Sequence, residues 1–119
     1  MIREQMVAIL PCSDVDAAEA FFARLGFVRA PASPDEYRLL SDGQGPQLHL
    51  RAAAAELQGF AANPFGLYLF RRDVGAAAAA FAGEIIGAAG PRDTPWGTYE
   101  FALNGPDGVL VRVGWPLEG

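Results

Sequence analysis

The stretch SDVDAAEAFFA at 13–23 returns, altered, as RDVGAAAAAFA at 72–82, and this repeat constrains the fold more than any other feature of the chain. Seven positions agree: Asp14/Asp73, Val15/Val74, Ala17/Ala76, Ala18/Ala77, Ala20/Ala79, Phe22/Phe81 and Ala23/Ala82. Alanine richness inflates the match, but the shared Asp-Val start and the shared Phe do not depend on it. Each copy predicts a helix. In the first, Val15, Ala18, Phe22 and Leu25 recur at helical spacing. Ser13 is the expected N-cap with Asp16 three residues on, and Gly26 the expected stop. Asp14, Asp16 and Glu19 suit the positive end of the helix dipole. In the second, Val74, Ala77, Ala78, Phe81 and Ile85 make the apolar face, and the alanine run at 76–80 has high helix propensity.

Strand patterns flank both helices. Residues 6–10 precede the first and 66–70 the second. After the first helix come 27–29, 37–41 and 47–51; after the second come a weak segment at 88–89, then 98–103 and 109–114. The turns DGQGP and NGPDG join the last pair of each half. Each half therefore reads β-α-β-β-β. Module one covers about 1–51 and module two about 65–116, joined by a linker at 52–64 that contains a helical turn and closes on Asn63-Pro64. One helix covers one sheet face and leaves the other needing a partner. The expected fold class is α+β: two βαβββ modules in tandem, forming a half-open mixed-sheet barrel around a cleft within a single domain.

Bulk properties narrow the function. A chain of 119 residues that is 51% apolar has enough material to bury a core. No apolar run approaches the roughly 20 residues that span a bilayer, and the opening MIREQMVAILPCSD does not read as a secretion signal. The single cysteine, Cys12, forms no intramolecular disulfide, which fits a cytoplasmic setting. Net charge is −5 and every basic residue is arginine, with no basic run, so nucleic acid is not an expected partner. Neither is a membrane. An acidic chain draws a cationic small molecule more readily than an anionic one.

The segments ILPCSDVDAAEAFFARLGF and TPWGTYEFALNGPDGVLVRVG resemble the glyoxalase/bleomycin-resistance/dioxygenase superfamily, also called vicinal oxygen chelate, and within it the bleomycin-resistance branch. The matching residues are Arg24-Leu25-Gly26-Phe27, Pro95-Trp96-Gly97, Glu100-Phe101, Leu103 and Pro106-Asp107-Gly108; Asn104 and Gly105 replace an acidic pair usual before the proline. The resemblance spans nearly the whole chain. It implies paired βαβββ modules, a homodimer and, in the superfamily's enzymes, a divalent metal held by His and Glu or Gln from the first and last strands of the modules. The corresponding positions here are Val7, His49, Gly66 and Arg112. Valine and glycine offer no donor, arginine stays cationic, and one imidazole does not hold a metal tightly. No metal and no cofactor is expected.

The resemblance also implies that Trp96 stacks on a planar ligand, the alternative being a lid that seals the barrel end or a dimer contact. The family's second stacking aromatic falls at Pro31, so any second ring must come from Tyr37, Phe60 or Phe65. His49 alternates with Leu48 and Leu50, so it faces the cleft if those two face the helix. Arg112 sits likewise between Val111 and Val113, either paired with Glu100 or a ligand anion, or solvated. Glu100 either lines the cleft or is an exposed edge charge. The four phenylalanines Phe21, Phe22, Phe27 and Phe81 read as core, and Cys12 as structural. Serine-nucleophile and phosphate-loop motifs are absent. The expected ligand-binding set is Trp96, Tyr37, His49, Phe60, Glu100 and Arg112, with no catalytic residue. The leading expectation is non-enzymatic sequestration of a small, planar, cationic molecule. The alternatives are a metal-independent enzyme using His49 or Glu100 as acid or base, and a small regulatory or immunity-type dimer for a metabolite.

Overall fold

The computed structural model describes residues 4–57 and 63–118. The chain divides into two compact units, Met1–Phe60 and Ala61–Gly119. The first contains β1 (Ala8–Cys12), α1 (Val15–Ala23), β2 (Val28–Arg29), β3 (Tyr37–Ser41), β4 (Gln47–Ala52) and a short α2 (Ala54–Leu57). The second contains β5 (Gly66–Phe70), α3 (Val74–Ala79), β6 (Arg92–Asp93), β7 (Thr98–Asn104) and β8 (Leu110–Pro116), with a 3₁₀ turn at Pro106–Gly108. Each unit builds one open four-stranded mixed sheet. The orders β1-β4-β3-β2 and β5-β8-β7-β6 have the same topology, with one parallel pairing at the β1 or β5 edge and antiparallel pairings across the rest. The α+β class and the two tandem modules expected from the repeat are what the chain adopts.

In both units the helix covers one sheet face. α1 packs on β4, and Ala18, Phe22, Leu10, Leu48 and Leu50 are buried there. α3 packs on β7 and β8, burying Val74, Ala77, Ala78, Phe101, Leu103, Val111 and Val113. Phe22, Phe27 and Phe81 are core, whereas Phe21 is only half-buried, its ring edge-on to Phe22. Cys12 is buried, its thiol donating to the Leu10 carbonyl.

The two helices differ in how they start. Asp14, not Ser13, caps α1: its carboxylate accepts from the Ala17 N–H at 3.0 Å. Asp16 is turned outward to Arg38. The equivalent Asp73 makes no capping bond, because Arg71 takes both of its oxygens. α3 stops at Ala79, so Phe81 and Ile85 lie beyond the helix predicted to hold them. Gly83, at φ +84°, turns the chain away.

Strand ends shift by a residue or two from expectation, with one larger correction. Residues 88–89 form no strand. The chain touches the edge of β7 at an isolated Ile85–Leu103 bridge, leaves it at Gly87 (φ +71°), and returns at β6, where Arg92 pairs with Glu100 and Asp93 with Tyr99. The excursion between those two contacts opens a groove along β7.

Candidate functional site

The groove has a volume of about 450 Å³ and lies wholly within the second unit. Its lining takes Ile85, Ile86, Arg92 and Asp93 from the excursion and β6, Thr94, Pro95 and Trp96 from the turn before β7, Glu100, Phe101 and Ala102 from β7, and Arg112 from β8.

Trp96 sits on a clamped turn. The Gly97 N–H donates to the Thr94 carbonyl, with Gly97 at φ +92°, where glycine meets no steric penalty. The Thr94 N–H donates to the Thr98 carbonyl at 2.8 Å, and the two threonine hydroxyls lie 2.8 Å apart. Thus held, the indole is 61% exposed, yet its N–H donates to Glu100 Oε1 at 3.0 Å. The ring is fixed in angle and open to a ligand. The Arg112 guanidinium stands over it, 5.5 Å from the ring centroid.

Glu100 is 6% exposed, a buried carboxylate rather than an edge charge. Three donors converge on its Oε1: the Thr98 hydroxyl at 2.6 Å, the Tyr68 hydroxyl at 2.9 Å and the Trp96 N–H. Arg112 Nη1 reaches Oε2 at 3.3 Å. Burial pushes this carboxyl up, but the hydrogen bonds from Thr98, Trp96 and Tyr68, with the charge of Arg112, outweigh it and hold Glu100 below the usual carboxylate range. Burial also raises the Tyr68 hydroxyl above its ordinary value, and Glu100 adds to that rise. Glu100 is therefore an anion with one oxygen saturated by the protein and the other facing Arg112, and a poor proton donor.

Gly114 makes this network possible. Tyr68 lies on β5 and Glu100 on β7, so the tyrosine hydroxyl must cross β8. It crosses over Gly114, where any Cβ would collide with the Tyr68 hydroxyl and come within 2.7 Å of Glu100 Cβ.

In the first unit the sheet face turned away from α1 carries Tyr37 and His49, the tyrosine hydroxyl 2.9 Å from His49 Nδ1. Leu48 and Leu50 are buried on the helix side, so His49 takes the opposite face, half-buried beside exposed Ile9 and Leu39. The registers make the two units comparable residue by residue. His49 lies between Ile9 and Leu39, and Arg112 between Tyr68 and Ala102. Tyr37 on β3 and Glu100 on β7 then hold the same diagonal position. Each module thus carries one polar pair at one place, Tyr37–His49 in the first and Glu100–Arg112 in the second. Each pair lies within its own unit. Phe60 lies outside the described residues.

The same positions test a metal. Val7 and Gly66 present no donor, and the Arg112 guanidinium brings positive charge to the place where the resemblance implies a carboxylate. Among the described residues no three His, Cys, Asp or Glu side chains lie together in a way that could hold an ion. This donor set does not fit a divalent metal. Of the groove residues, Trp96, Glu100 and Arg112 were expected from the sequence; among those missed are Ile85, Ile86, Arg92 and Asp93, in and beside the segment whose strand assignment was misplaced, where no local pattern marks them.

No protein-family model matches the chain, and no curated protein sequence does. Its fold has many solved counterparts. A bleomycin-binding protein complexed with bleomycin is 24% identical with a TM-score of 0.72, the alignment covering 95% of this chain and 98% of that one. A bleomycin resistance determinant encoded on the transposon Tn5 is 26% identical with a TM-score of 0.74, covering 96% and 98%. A lactoylglutathione lyase from Agrobacterium tumefaciens is 23% identical with a TM-score of 0.68, covering 94% and 92%.

Proposed function

Since this chain has the glyoxalase/bleomycin-resistance fold, with bleomycin-binding and bleomycin-resistance proteins among its structural neighbours, we propose that it binds a small planar molecule on Trp96 without turning it over. The observation that carries the reading is the state of Trp96: exposed, angularly fixed by Glu100, and set in the wall of a groove of about 450 Å³. A ring held in this way loses little conformational freedom when a flat ligand stacks on it. Two features favour binding over catalysis in this reading: Glu100 is a buried carboxylate with a lowered pKa, and the second unit's ligand positions, Gly66 and Arg112, offer no metal donor. The cationic character expected from net charge has less support at the site, where Arg112 neutralises Glu100. Neither a nucleic-acid nor a membrane partner is part of this reading.

Bleomycin is the first probe, with Trp96→Ala as the variant. We expect bleomycin to quench tryptophan fluorescence in the native protein, with the drug's mass unchanged after incubation. In Trp96→Ala the affinity falls about tenfold, the loss of roughly one stacking contact, while the protein stays folded, its urea midpoint lowered only by the loss of the hydrogen bond to Glu100. Equal affinity in the variant, or a changed drug mass, refutes the reading.

A further inference from the structure

The groove's charge balance differs from that of the chain. Net charge is −5, yet the groove is lined by two arginines and two carboxylates, Glu100 and Asp93, and Glu100 is already held by the protein. Arg92 is the direct register partner of Glu100 on β6, so the two side chains share a face; Arg112 approaches Glu100 diagonally from β8. Glu100 Oε1 holds three donors, and Oε2 faces Arg112. A guanidinium has five N–H donors, and among the described residues Arg112 uses one, in a long 3.3 Å bond, while its side chain remains 38% exposed in the groove wall. Arg92 is exposed and makes no ion pair among the described residues. Asp93, next to Arg92 on β6, also lines the groove, so the groove's two carboxylates and two guanidiniums balance in charge, and what remains unmatched is the set of N–H donors on Arg112.

We infer that the groove recognises an oxyanion: the planar ligand that stacks on Trp96 carries a carboxylate or a similar anionic group at its edge, held by the free N–H donors of Arg112 and by Arg92. This rests on the reading of Trp96 as the stacking residue and adds the ligand's charge to it. Guanidinium is suited to the task, since its planar fork matches a carboxylate with two parallel bonds and keeps its charge at every working pH. Glu100 has a positioning role. It holds the Trp96 N–H and Arg112 on its two oxygens, which sets the distance between the stacking ring and the anion-binding fork.

Three probes of one shape isolate the charge: 2-naphthoate, neutral 2-naphthamide and cationic 2-naphthamidine, each titrated by calorimetry. The expected order is naphthoate tightest, by about tenfold over the amide, with the amidine weakest. Arg112→Gln removes the preference for naphthoate, Arg92→Gln reduces it, and Arg112→Lys keeps part of it. Because Arg112→Gln leaves Glu100 without its cation, the double variant Arg112→Gln/Glu100→Gln serves as the charge-balanced control and is expected to bind the naphthoate and the amide alike. If the amidine binds as tightly as the naphthoate, or the preference survives in the double variant, the oxyanion inference falls. If all three probes bind equally and only Trp96→Ala weakens them, the stacking reading stands without the inference. If none binds, both fall.

Discussion

Glu100 keeps its charge in a place that opposes charge. Burial alone would raise its pKa, and the donors Thr98, Trp96 and Tyr68 with Arg112 reverse that. A carboxyl whose folded pKa lies below its unfolded value contributes stability that is fully present above the unfolded pKa, about 4.3 for a free glutamate. That contribution is lost as pH falls through the folded value. Native protein should therefore lose urea stability between neutral pH and the acid side of the carboxylate range. Glu100→Gln, which has no proton to take up there, should lose less over the same interval. Urea midpoints at a series of pH values decide the matter; parallel losses in both proteins would show that Glu100 is not the linked group. The same residue accounts for the tryptophan in a turn. Trp96 projects from the TPWG turn because the turn holds the backbone, while Glu100, four residues on, holds the indole N–H.

At the scale of elements, the second sheet works as a site because one strand lets a side chain pass over it. β8 carries Gly114 where Tyr68 crosses from β5 to Glu100 on β7. Gly114→Ala places a methyl against the Tyr68 hydroxyl and Glu100 Cβ, the second of which is attached directly to the β7 backbone. Such overpacking costs about 1–3 kcal/mol, and we expect a loss of that order by urea denaturation. Tyr68→Phe in the same background removes the colliding hydroxyl, so the double variant should recover part of the loss. If the two substitutions simply add, Tyr68 is not what Gly114 accommodates. The helices show a similar dependence on single contacts: Asp14 caps the longer α1, whereas Asp73, bound by Arg71, caps nothing on the six-residue α3.

At the scale of the molecule, the two units share topology, register and a polar pair at one diagonal position, yet they differ in chemistry: a tyrosine–histidine pair in one, a glutamate–arginine pair in the other. In each unit the sheet face away from the helix leaves apolar side chains exposed, Ile9 and Leu39 in the first and Tyr68 and Phe70 in the second. Exposed apolar faces on open sheets favour association with a second copy. We propose a homodimer on that ground and expect light scattering at micromolar concentration to give twice the chain mass; a monomer at that concentration would refute it.

The repeat, the succession β-α-β-β-β along each half and the buried face of α1 were legible in the sequence, because side-chain period and turn residues act locally and leave their mark in nearest-neighbour patterns. The turn under Trp96 was legible for the same reason: Pro95 and Gly97 constrain it directly. The excursion between Ile85 and Arg92 was not, since its path is set by where it rejoins β7 rather than by any run of strand-forming residues. Nor was the state of Glu100. Its donors come from positions 68, 96, 98 and 112, on β5, β7, β8 and the turn before β7. Whether a carboxylate is an edge charge or a hydrogen-bonded buried anion depends on which strands pair and in what register, and only the tertiary structure decides that.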